Sequence, residues 1–113
     1  MTTIIGITQG ERAGWQRRAA AELAAILAVH PGLPCISWTA GPAGSVVVGH
    51  VSGLAPAGQA RQIFEVWRLA LALEEYREYQ MSSGTAWLHA AARRHEVRVR
   101  LTATVFPDDD VED

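Results

Sequence analysis

Residues 97–105, VRVRLTATV, alternate without a break: Val97, Val99, Leu101, Ala103 and Val105 are apolar, and Arg98, Arg100, Thr102 and Thr104 between them are polar or charged. A period of two over that length belongs to a strand with one face in a core and the other in water. The stretch therefore demands a sheet covered on one side only, and the other 104 residues of a 113-residue chain must supply both the neighbouring strands and the cover.

The cover reads as two helices. In GWQRRAAAELAAILAVHPG, Trp15, Ala19, Leu23, Ile26, Leu27 and His30 recur at helical spacing, Arg17, Arg18 and Glu22 take the other side, and Pro31 and Gly32 stop the run. In PAGQARQIFEVWRLALALEE, Ala60, Ile63, Phe64, Trp67 and Leu71 share a face opposite Arg61, Glu65 and Arg68, with Pro56 near the start. Between the helices, PCISWTA and GSVVVGHV flank GPAG, which is turn chemistry and makes a hairpin. EYREYQM and TAWLHAAAR, joined through SSG, precede the final strand. The predicted order is α-β-β-α-β-β-β, an α+β two-layer sandwich with both helices on one face of a mainly antiparallel sheet. Residues 1–107 form the single domain and 108–113 an acidic C-terminal tail. If TTIIGI near the start is a strand, the order begins like a ferredoxin-like fold, whereas GITQGERAG lacks dinucleotide-loop spacing and reads as a flexible lead into the first helix. The expected core is Trp15, Leu23, Ile26, Leu27, Trp38, Val47, Ile63, Phe64, Trp67, Leu88, Val97, Val99 and Leu101.

The side of the sheet without helices is the diagnostic surface, and hairpin registers say what it carries. A turn centred on Arg94 and His95 sets Ala92, Ala90, Leu88 and Ala86 opposite Val97, Val99, Leu101 and Ala103 inside, leaving His89 with Arg100 and Trp87 with Thr102 outside. A two-residue turn at Ser83 and Gly84 sets Tyr79 opposite Leu88 inside and leaves Tyr76, Glu78 and Gln80 outside. In the first hairpin Trp38 faces Val47 and Ile36 faces Gly49 inside, with Cys35, Ser37, Thr39, Val46, Val48 and His50 outside. The candidate interaction face is thus Tyr76, Glu78, Gln80, Trp87, His89, Arg98, Arg100 and Thr102. Glu78, His89 and Arg100 in line resemble a catalytic row, but no nucleophile accompanies them and an open sheet face excludes no water. Trp87, beside Gln80 and diagonal to Arg100, is the residue that a plain solvated surface explains least, because a large ring on a polar face asks to be covered.

Composition removes several functions. The chain has no lysine, which excludes Schiff-base chemistry and the P-loop. The four histidines show no metal-ligand spacing, and no cofactor is implied. Cys35 cannot make an internal disulfide and reads as a small packed hydrophobe, while the start lacks a signal-peptide pattern and no run reaches membrane length, so a soluble cytoplasmic protein is expected. The formal charge of −2 conceals ten arginines set against seven acids outside the tail. The stretches ISWTAGPAGSVVVGHVSGLAP and VRVRLTATV resemble small uncharacterised actinobacterial proteins of this length, which agrees with the lysine- and asparagine-free, GC-rich composition and brings no activity with it. The expected function is a non-enzymatic protein-interaction module that forms a homodimer through the helix-free face. A nucleic-acid-associated factor using the Arg-rich last hairpin is the alternative.

Overall fold

The computed structural model describes residues 9–41, 45–52 and 56–107. Its elements are α1 (Gln9–Val29), β1 (Ser37–Gly41), β2 (Val46–Val51), α2 (Ala57–Ala70), β3 (Glu75–Gln80), β4 (Ala86–Arg94) and β5 (Val97–Val105), the α+β order expected from the sequence. The five strands lie in the order β1-β2-β5-β4-β3, antiparallel throughout except where β2 and β5 run parallel at the centre. TTIIGI, and with it the ferredoxin-like alternative, lies outside the described residues, as does the acidic tail 108–113. Among the described residues no helix is long and apolar enough to cross a membrane.

Both helices pack on the side of the sheet to which Val47, Val51, Leu88, Ala90, Val97, Val99, Leu101, Ala103 and Val105 point, and these residues form one core with Ala19, Ile26, Phe64, Trp67, Leu71 and Leu73. Trp67 is the hub: its indole N–H donates to the Pro34 carbonyl at 2.8 Å, and Trp38 meets it edge-on with ring centroids 5.3 Å apart. Gly49 lies beneath Trp38 so closely that a Cβ there would sit 2.7 Å from the indole. α2 stops at Ala70 because Ala72 turns left-handed (φ 53°) and the Leu73 N–H reaches back to the Arg68 carbonyl, a capping geometry that buries both Leu71 and Leu73.

Several sequence-based expectations change. α1 begins at Gln9, so the described part of the glycine-rich lead is helical. Its inward stripe is Ala19, Glu22 and Ile26, at i, i+3 and i+7, which leaves Leu27 46% exposed and outside the core. Glu22, expected on the solvent side, is buried because Arg94 and His95 come over it, with Arg94 Nε–H donating to Oε2 at 3.2 Å and His95 Nδ1 lying 2.9 Å from Oε1. Cys35 is exposed. The β1–β2 register is Trp38 with Gly49 and Ala40 with Val47, two residues from the expected pairing, and Ile36 precedes the strand. The β4–β5 turn is centred on His95 and Glu96, both at positive φ (49° and 65°), so that Ala92 faces Val99, Ala90 faces Leu101 and Leu88 faces Ala103. This is also a shift of two. Because side chains alternate with period two, both shifts change the partners and keep the faces.

Candidate functional site on the open sheet face

The third hairpin behaves differently. Met81 N–H donates to the Thr85 carbonyl, Gly84 N–H donates to the Met81 carbonyl, and Gly84 has φ 89°, so three residues, Ser82 to Gly84, span the turn rather than two. The odd extra residue moves the register by one: Tyr79 pairs with Trp87, Arg77 with His89 and Glu75 with Ala91. A shift of one exchanges the faces of β3. Tyr76, Glu78 and Gln80, expected on the open face, point to the helix side instead. There the Tyr76 ring lies 5.8 Å from Phe64 and beneath the Arg68 guanidinium, 5.0 Å from its centroid. Glu78 accepts two hydrogen bonds from Arg61 of α2, at 2.8 and 3.3 Å, and others from Tyr76 Oη and Gln80 Nε2. The Arg61 guanidinium holds the Glu78 carboxyl below its ordinary range. This trio fastens an edge strand to α2 and does not serve an interface on the other side.

Glu75, Arg77 and Tyr79 take their places on the open face. Of the residues expected there, Trp87, His89, Arg98, Arg100 and Thr102 do face away from the helices, as the alternation of β4 and β5 requires. Tyr79, Trp87 and His89 form a continuous row of rings: Tyr79 to Trp87 is 5.7 Å between centroids, and Trp87 to His89 is 5.4 Å with planes only 16° apart. Arg100 does not reach the Trp87 face. Its Nε–H donates to His89 Nε2 at 3.3 Å, which places the imidazole proton on Nδ1. Burial, followed by the charges of Arg100 and Arg98, holds the His89 pKa below its ordinary value and keeps the ring neutral. One strand away, His50 Nδ1 lies 2.8 Å from Thr102 Oγ1. His50 and His89 flank Thr102 from opposite sides of β5, and among the described residues no group of three or more His, Cys, Asp or Glu side chains is placed to hold a metal ion.

The charges on this face do not cancel. Arg98 pairs with Glu75 at 3.0 Å, whereas Arg77, Arg93 and Arg100 have no carboxylate partner among the described residues. Arg94, one residue from Arg93, turns to the helix side and Glu22. Glu75, Arg77, Tyr79, Trp87, His89, Arg98 and Arg100 together line an open depression of about 300 Å3. Ala91 lies on the same side, opposite Arg100 and Glu75, yet is fully buried, because the long side chains around it close over it. Toward β2 the face becomes smoother, with Val46 beside Arg98 and Val48 beside Arg100. Three guanidinium groups without a carboxylate partner among the described residues and a shelf of three rings can hold an anionic, partly apolar segment. His89 Nε2 is already engaged as an acceptor, and the depression is open to solvent.

Sequence reasoning missed Arg77 and Tyr79, and the signal that could have found them was SSG itself: a glycine closing a serine pair suits the left-handed last position of a three-residue loop as well as it suits a two-residue turn. No protein-family model matches the chain, and a search of curated proteins finds no match.

Proposed function

We propose that this chain is a non-enzymatic interaction module whose open sheet face holds an acidic segment of a protein partner. The observation that carries the reading is that Arg77 and Arg100 beside the Tyr79–Trp87–His89 row, and Arg93 further along β4, have no carboxylate partner among the described residues. A symmetric pairing with its own copy centred on these arginines would set guanidinium against guanidinium. A partner supplying carboxylates and an apolar side chain or two satisfies both the charge and the exposed ring. Single-stranded nucleic acid offers phosphates and stacking bases, but the basic groups and rings gather at one open depression rather than along a groove that could track a backbone. The exposed Cys35 thiol fits a reducing cytoplasm.

Calorimetric titration of the protein with an acidic peptide at low salt tests this. Binding should weaken with added salt, fall at least tenfold in Arg77→Ala/Arg100→Ala, and drop about 30-fold, roughly 2 kcal/mol, in Trp87→Ala while thermal stability stays close to wild type. Binding of a single-stranded oligonucleotide with no binding of the peptide would move the function to nucleic acid, and a large loss of stability in Trp87→Ala would remove the ring from the interface.

A further inference from the structure

Resting on that reading, we infer that the acidic partner is a second copy of this chain, whose residues 108–113 supply the carboxylates. The segment DDDVED places Asp108, Asp109, Asp110, Glu112 and Asp113 around a single apolar residue, Val111, which is the composition the open face calls for. In an extended strand, Asp108, Asp110 and Glu112 recur every ~6.8 Å, the interval at which Arg98 and Arg100 recur along β5. Charge complementarity within one sequence, between a basic face and an acidic segment, makes a heterologous contact in which face meets segment rather than face meeting face.

Geometry favours the segment of another copy over the chain's own. β5 ends at Val105, and Pro107 passes the β3–β4 loop, where it would lie 3.4 Å from a Cβ at Gly84. Arg98 and its partner across the ladder, Arg93, are seven residues back along β5, about 23 Å. Counted from Pro107, six residues span at most ~21 Å and would first have to reverse direction, so in cis the segment reaches Arg77 more readily than Arg93, the farthest of the three guanidinium groups without a carboxylate partner among the described residues. A segment arriving from another molecule has no such limit.

Sedimentation velocity on three full-length proteins decides the matter: wild type, the face variant Arg77→Ala/Arg100→Ala, and the segment variant Asp108→Asn/Asp109→Asn/Asp110→Asn/Glu112→Gln/Asp113→Asn, each checked for folding by circular dichroism. Wild type should self-associate at about 50 mM salt and lose at least tenfold in affinity at about 500 mM. Each variant alone should be monomeric, and an equimolar mixture should form a one-to-one complex, because one supplies an intact face and the other an intact segment. Self-association that persists in the segment variant overturns the inference. So does a monomeric wild type, and a titration of the segment variant with the peptide FPDDDVED then separates the two claims: binding leaves the face as an acidic-segment site with another occupant, and no binding removes both.

Discussion

Gly49→Ala tests the packing that sets β1 against the helices. A methyl at this position would lie 2.7 and 2.8 Å from Trp38 Cζ3 and Cη2 and 3.0 Å from Ile36 Cδ1, each well inside van der Waals contact. The ring has little room to retreat, since it rests edge-on against Trp67, itself fixed by its hydrogen bond to Pro34. Overpacking of this kind costs about 1–3 kcal/mol, and replacing a strand glycine recovers about 0.5–1 kcal/mol of chain entropy, so a net destabilisation of about 1–2 kcal/mol is expected. For a chain of this size that lowers Tm by roughly 4–10 °C. A double-mutant cycle with Trp38→Phe isolates the cause. The smaller ring withdraws the two atoms in conflict, so Gly49→Ala should become neutral or slightly stabilising in that background. Trp38→Phe also deletes an indole N–H that is buried without a hydrogen-bond partner among the described residues, which offsets part of its lost packing. Urea denaturation of the four proteins gives the coupling energy directly. If Gly49→Ala is as stable as wild type, or equally harmful in both backgrounds, the clash with Trp38 is not what requires glycine.

Trp67→Ala removes the hub of the core and orphans the Pro34 carbonyl, and should cost about 3–5 kcal/mol by chemical denaturation. Glu22→Ala leaves Arg94 and His95 without their shared carboxylate at the β4–β5 turn, with an expected loss of about 1–3 kcal/mol and faster amide exchange confined to that hairpin end. His89 has a native pKa below its unfolded value near ~6.5, so in the interval between the two the unfolded chain binds more protons. Its contribution is therefore complete above ~6.5 and lost as pH falls through the lowered native value, and melting curves from pH ~7.5 to ~5 should decline more steeply for wild type than for His89→Gln.

Local periodicity specifies which elements form and how most of them face. Alternation in VRVRLTATV fixes Arg98, Arg100, Thr102 and Thr104 on one side whatever strand lies next to it, and the helical spacing of Ala60, Phe64 and Trp67 fixes the inner side of α2. These are local periodicities, and a shift of two in a neighbouring register leaves them intact. What depends on an odd residue count or on distant contacts is set only when the chain packs. One extra residue between Met81 and Thr85 exchanged Tyr76, Glu78 and Gln80 for Glu75, Arg77 and Tyr79 and turned a mixed face into a cationic one. The burial of Glu22, which helical spacing places only one residue from Leu23, depended on Arg94 and His95 arriving from more than seventy residues away. The parallel union of β2 with β5, which sets His50 beside Thr102, joins strands separated by α2 and two further strands, and no short stretch of sequence encodes that pairing because its energy is realised only when the sheet closes over both helices.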